Sequence, residues 1–132
     1  DLHRLIRRQR QMCIRDSLVS LRTGYSIGGF DADKIQGDSL ELGIGRAEEP
    51  FEGIGRGTLN IEGLPVYRDR AGGIGTPTSD NERTKMGLET RRILAIVNGY
   101  NGREGLAEAA GMIQELLRKY ADSDGGTILY FE

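Results

Sequence analysis

Glycine does most to restrict what this chain can build. All 20 glycines fall between Gly24 and Gly126, and none lies in the first seventeen residues. Spread over the 115 residues that follow Ser17 they make up about 17 %, against an ordinary share of ~7 %. Glycine at that density, without a repeated unit, predicts tight turns and places where backbone passes close to backbone. Only a residue without a Cβ allows both freely.

The segment Asp1–Ser17 differs in kind. Arg7 to Ser17 reads Arg-Arg-Gln-Arg-Gln-Met-Cys-Ile-Arg-Asp-Ser, the in-frame translation of a transposon-type library adapter, and Asp1-Leu2-His3 fits the codons such an adapter carries upstream. The segment is therefore expected to be non-native and to make few contacts with the core. A basic amphipathic arm is the ordinary alternative. It lacks the apolar stretch and cleavage site of a signal peptide. On this reading the native chain starts abruptly at Leu18-Val19-Ser20-Leu21, as a domain cut at its N-terminus would, and residues 18–132 form one partial domain.

Setting the segment aside changes the chemistry available. His3 and Cys13 are the only histidine and cysteine, so without them no zinc site, cysteine nucleophile, Ser-His-Asp triad or disulfide can be built. Five of the 18 basic and two of the 20 acidic residues leave with it, which moves the formal charge from −2 to −5. An acidic balance argues against indiscriminate phosphate binding. No metal or cofactor is expected. No apolar run is long enough to span a membrane, and a cytoplasmic location is expected.

Pattern supplies the elements. Tyr25–Asp31 reads as a strand edge or close turn. Leu40–Ile44 alternates as a half-buried strand does. Thr58–Ile61 and Leu64–Tyr67 read as short strands joined by a Glu62-Gly63 turn. Ala71–Thr78 is expected to be a turn-rich loop running into Ser79-Asp80-Asn81-Glu82, a Ser-x-x-Glu capping box. Ile93–Val97 reads as a buried strand. A helix is expected over Arg103–Tyr120, capped by Asn101, with Leu106, Ala109, Ala110, Ile113, Leu116, Leu117 and Tyr120 as its apolar stripe. Thr127–Phe131 reads as a closing strand. Strands early and a helix late predict an α+β fold.

Three features could carry chemistry. The loop from Gly72 to Arg83 could offer consecutive backbone N–H groups as an anion-binding nest, with Thr76, Thr78 and Ser79 as hydroxyl donors. It lacks the Gly-Lys-Ser/Thr ending of a Walker loop, and a plain structural turn capped by Ser79 and Glu82 is the competing reading. Gly43-Ile44-Gly45-Arg46 and Gly53-Ile54-Gly55-Arg56 fall short of a dinucleotide fingerprint and read as loop glycines. Arg83, Lys85, Arg91 and Arg92, with Arg68 and Arg70 before them, could position a phosphate backbone or form a solvated face of local ion pairs.

Several ordered stretches resemble the B3/B4 domain of the phenylalanyl-tRNA synthetase β subunit, in its stand-alone form. They are Leu18–Leu21, Tyr25-Ser26-Ile27-Gly28-Gly29-Phe30-Asp31-Ala32-Asp33-Lys34-Ile35, Gly37-Asp38, Gly53–Gly57 and Asn60–Asp69, and above all Gly72-Gly73-Ile74-Gly75-Thr76-Pro77-Thr78-Ser79-Asp80-Asn81-Glu82-Arg83-Thr84. The resemblance implies a three-layer β-β-α sandwich, of which this chain would hold the C-terminal portion. It also implies an editing pocket that hydrolyses tyrosine wrongly attached to the phenylalanine tRNA. On this analogy Gly73, Ile74, Gly75, Thr76, Thr78 and Ser79 would wall the pocket, with Asn60, Ile61 and Glu62 as another wall and Glu82 as the carboxylate facing the amino acid. Nothing resembles the motifs of amino-acid activation.

Two functions follow as expectations. The first is an RNA-linked module that binds tRNA or hydrolyses mischarged aminoacyl-tRNA in trans, with Arg83, Lys85, Arg91 and Arg92 on the RNA. The second is a non-catalytic pocket for a free aromatic amino acid or related metabolite. A structural domain without a pocket is the third.

Overall fold

A computed structural model describes residues 22–99, 105–121, 124 and 126–131. The expectation for Asp1–Ser17 and the proposed cap Asn101 lie outside the described residues. Gly28–Ile96 forms one compact unit, and the described residues on either side of it form a second.

The strands are β1 (Ser26–Asp31), β2 (Glu41–Ile44), β3 (Glu52–Gly53), β4 (Gly57–Thr58), β5 (Pro65–Asp69), β6 (Gly72–Gly75) and β7 (Ile93–Asn98), followed by one helix, α1 (Leu106–Ala121). Single 3₁₀ turns occupy Ala32–Lys34 and Glu82–Thr84. These elements make an α+β chain. β1 pairs with β7, β2-β5-β6 form a three-stranded sheet, and β3 pairs with β4. Within the last two sheets every pairing is antiparallel.

The three-stranded sheet positions the rest of the Gly28–Ile96 unit. Leu42 stands opposite Tyr67, Gly43 opposite Val66 and Ile44 opposite Pro65. Glu41–Ile44 is a strand, but the half-buried alternation expected for Leu40–Ile44 is absent, since Glu41 is exposed along with Leu42 and Ile44. Leu42 and Ile44 are 63 % and 61 % exposed, while Gly43 turns toward the fully buried Val66. The guanidinium of Arg68 explains the glycine at 43, because it fills the space a side chain there would need. Arg68 is held there by Glu49, Nε at 2.9 Å and the terminal nitrogen at 2.7 Å, and by the Ile44 carbonyl at 2.8 Å.

Val66 packs with Phe51, Ile61 and the partly buried Leu59, and Phe30 and Ile74 are also buried in this unit. Each such side chain contributes about 1.5–3 kcal/mol by leaving water. Ile61 reaches the core from a turn and not from a strand. Strand pairing of the Thr58–Ile61 stretch ends at Thr58, and Asn60 Oδ1 accepts the Glu62 N–H at 3.0 Å. Gly63 takes a φ of +80° in that turn, as the Glu62-Gly63 reading requires.

The largest correction concerns Ala71–Thr78. Gly72–Gly75 is a strand paired to β5, with Arg68 opposite Gly73 and Tyr67 opposite Gly75. Glycine here answers a packing need and not a need for a loop. A Cβ at Gly73 would lie 3.2 Å from Phe51 and Val66, and one at Gly75 would lie 2.6 Å from the Phe30 ring. Four near-consecutive small positions carry no alternation for a periodicity argument to detect.

β7 runs Ile93–Asn98 as expected, though each of its residues is half-buried and not fully enclosed. In the second unit, α1 begins at Leu106 after Gly105 (φ +78°), and Arg103 and Glu104, where the periodic pattern starts, lie outside the described residues. Ala109 and Ile113 are its buried positions, and Leu106, Ala110, Leu116 and Leu117 are half-buried beside them, so these six positions of the stripe hold, while the Tyr120 side chain lies outside what is described. Thr127–Phe131 forms no strand. Leu129 and Phe131 are 70 % and 88 % exposed. A β-branched and aromatic run becomes a strand only when a sheet edge receives it.

Candidate functional site

The site grows out of the β5–β6 hairpin. β5 ends at Asp69, whose side chain turns back on its own loop and accepts the N–H groups of Ala71 (2.9 Å) and Gly72 (3.1 Å). Gly72 sits at a φ of +137°, a conformation side-chain-bearing residues avoid, and this lets the chain reverse into β6. The second Asp69 oxygen accepts the Gln36 N–H at 2.8 Å. Asp69 is also the anchor of Arg83, whose two terminal nitrogens donate to its two oxygens at 2.9 and 2.8 Å. Burial works to raise this carboxyl, but the bonds from Arg83, Gln36 and Ala71 outweigh it and hold it at about 2.

The segment after β6 closes on itself. Thr76 N–H and Oγ1 both reach the Ser79 carbonyl (2.8 and 3.0 Å), and Ser79 N–H returns to Thr76 Oγ1 at 3.1 Å. Asn81, and not Ser79, caps the 3₁₀ turn. Its Oδ1 accepts Arg83 N–H at 3.0 Å while its Nδ2 donates to the Gly73 carbonyl at 3.0 Å. The Asn81 N–H donates to Ile74 O at 2.8 Å, so the turn is stitched to β6 along its length.

An open cleft of about 410 Å³ results, lined by Pro50, Phe51, Glu52, Ala71, Gly72, Gly73, Asn81, Glu82 and Arg83. Phe51 supplies the apolar wall, Glu52 and Glu82 supply negative charge, and Arg83 the positive. Glu82 bonds Lys85 at 2.6 Å and accepts the Gly55 N–H at 3.2 Å, and these partners, Lys85 first, hold its carboxyl below the usual range. A carboxylate so held is ionised at neutral pH.

The backbone N–H groups around the loop expected to offer a nest are bonded within the protein. Those at Ala71 and Gly72 are spent on the protein's own Asp69, and those of Thr76, Ser79, Asn81 and Arg83 on neighbours within the loop. Of the expected wall, Gly73 and Glu82 line the cleft. Ile74 is buried in the core, Gly75 packs against Phe30, and Thr76, Thr78 and Ser79 form the adjoining turn, where Ser79 Oγ accepts from Arg56 at 3.2 Å. Asn60, Ile61 and Glu62 belong to the turn before β5 and line no part of it. The four cations expected on RNA do not form a free patch. Arg83 is held by Asp69, Lys85 by Glu82 and Arg92 by Asp33 at 2.7 Å, while Arg91 is exposed.

Asp69, Asn81 and Glu52 carry no site role in the sequence reading, whereas Phe51, readable there as a pocket or core aromatic, is both buried and part of the cleft wall. The Asp69-x-x-Gly72 spacing at the end of a strand is the signal that could have found the first, since Asp favours bonding its own backbone two or three residues on. Asp80 is a further surprise. Its carboxyl accepts the Gly29 N–H and lies beside Gly28 and Gly75, and burial pushes it up to about 6.

The model of the B3/4 domain family matches residues 17–120. The chain belongs to the B3/4 domain family. This is the family of the phenylalanyl-tRNA synthetase β-subunit domain that the ordered motifs resemble. No curated protein matches the chain. In this B3/4 domain the cleft and its anchoring aspartate lie within the matched span. Among the described residues, no helix is long and apolar enough to cross a membrane, and no group of three or more His, Cys, Asp or Glu could hold a metal ion.

Proposed function

We propose that this B3/4 domain recognises an aminoacyl group in the Pro50–Arg83 cleft and removes it, by hydrolysis, from a mischarged tRNA. On this reading the domain is a three-layer β-β-α sandwich. The observation that carries it is the pairing of opposite charges in one cleft, ionised Glu82 and a fixed Arg83 beside the Phe51 wall. A cleft of this size suits a single amino-acid moiety.

Glu82 faces the ammonium of the amino acid. A carboxylate held below its usual range by Lys85 and Gly55 is a poorer proton acceptor than a free one, so the rate would come from orienting water against the ester and from stabilising the developing negative charge. With the Ala71 and Gly72 donors committed to Asp69, Arg83 is the group that offers such stabilisation.

The test is deacylation of Tyr-tRNA by the full chain, beside buffer and a Glu82→Ala variant. Ester loss faster than buffer and slowed at least tenfold in the variant is expected; loss no faster than buffer rejects the hydrolytic reading.

One observation favours a second reading, a non-catalytic pocket for a free amino acid. Arg83, Lys85 and Arg92 are already neutralised by Asp69, Glu82 and Asp33. Tighter tRNA binding at low salt, falling steeply as salt rises, would favour the RNA-linked reading. Amino-acid binding without it would favour the pocket.

A further inference from the structure

Arginine bound to a buried carboxylate is usually a structural strut, but Arg83 is only one of several partners of Asp69. Asp69 receives five hydrogen bonds, three of them from the backbone of Gln36, Ala71 and Gly72. An ionised carboxylate has about four lone-pair sites, so it is saturated by this set. Its side chain is fully inaccessible, whereas that of Arg83 is 31 % exposed and Arg83 lines the cleft.

The guanidinium meets Asp69 end-on, through one N–H on each terminal nitrogen. Of its five N–H groups, three remain, and no described residue accepts from Nε. The side of the fork carrying Nε can therefore bind a second pair of oxygens while the end stays clamped. The clamp gives orientation without loss of the spare edge, and an arginine immobilised in advance loses little further freedom on binding.

The opposite charge lies in the same cleft, on Glu52 and Glu82, and the apolar surface on Phe51. We infer that Arg83 is the specificity residue for the carboxyl end of the ligand, so that the cleft takes an α-amino acid by both of its charged ends. This rests on the amino-acid reading of the cleft given above. Asp69 then acts as a positioning residue behind it.

Calorimetry on the full chain tests this with L-tyrosine, with tyramine, which keeps ring and amine but has no carboxyl, and with inorganic phosphate. Tyrosine is expected to bind at least tenfold more tightly than tyramine, and phosphate to compete weakly. Arg83→Lys is expected to lower tyrosine affinity about tenfold and leave tyramine unchanged, a split that a purely structural role would not produce. Should the variant fail to fold by circular dichroism, the wild-type comparison still decides. Tyramine binding as tightly as tyrosine overturns the role of Arg83 and leaves the amino-acid cleft standing. Phosphate binding as tightly as tyrosine assigns the edge to phosphate and overturns it too. No binding of tyrosine or tyramine removes the underlying reading along with the inference.

Discussion

Gly45 passes directly beneath the backbone of Ile61, so closely that a Cβ there would overlap the Ile61 carbonyl oxygen. The two chain segments are also tied by Gly45 N–H to Leu64 O (2.7 Å) and Gly63 N–H to Gly45 O (2.9 Å). Backbone cannot step aside as a long side chain can. Gly45→Ala should therefore cost about 2 kcal/mol, by urea denaturation with an unchanged m-value. Gly63→Ala, in open space but at positive φ, should cost about 1 kcal/mol. A Gly45→Ala protein as stable as wild type would mean that the segments are not in contact.

Asp80 makes stability depend on pH in the direction unusual for an aspartate. Burial raises its carboxyl from 3.8 to about 6. The folded protein therefore holds the proton more tightly than the unfolded chain. Its contribution is full below about pH 3.8 and is lost as pH rises through 6. The loss has a ceiling of about 3 kcal/mol. Asp80→Asn should be more stable than wild type at pH 8 and equal to it at pH 3.5, in paired thermal or urea melts. Greater stability of the wild type at pH 8 would contradict the burial of an unpaired carboxylate.

Glu49 behaves in the opposite way. Its bonds to Arg68 hold the carboxyl at about 2, below its ordinary 4.5. The pair's contribution is present above pH 4.5 and lost as pH falls toward 2. Glu49→Gln should cost about 1–2 kcal/mol at pH 7 and far less by pH 2. A cost that does not change with pH would show that shape, and not charge, makes the contact.

Asn81 joins two roles that substitution can separate. Asn81→Ser keeps an oxygen for the Arg83 N–H but does not reach the Gly73 carbonyl, while Asn81→Ala loses both. We expect the alanine variant to lose about 2 kcal/mol and the serine variant about half of that. Equal losses would place the whole effect on the bond to β6.

Much of this chain is legible without coordinates. The strand at Ile93–Asn98 follows from a continuous β-branched run and the stripe of α1 from three-to-four spacing, because both are local properties of the chain. The ordered motifs around Gly28, Gly63 and Gly72–Thr84 pointed to the B3/4 family that the match over residues 17–120 establishes. The tertiary structure decided what a period does not encode. Gly72–Gly75 is a strand because β5 pairs with it, and its glycines leave room for Phe51, Val66 and Phe30, whereas Thr127–Phe131 pairs with no strand among the described residues. The Gly-loop donors went to Asp69, and three of the four expected RNA cations went to carboxylates, since opposite charges from distant parts of the sequence meet only once the chain is packed.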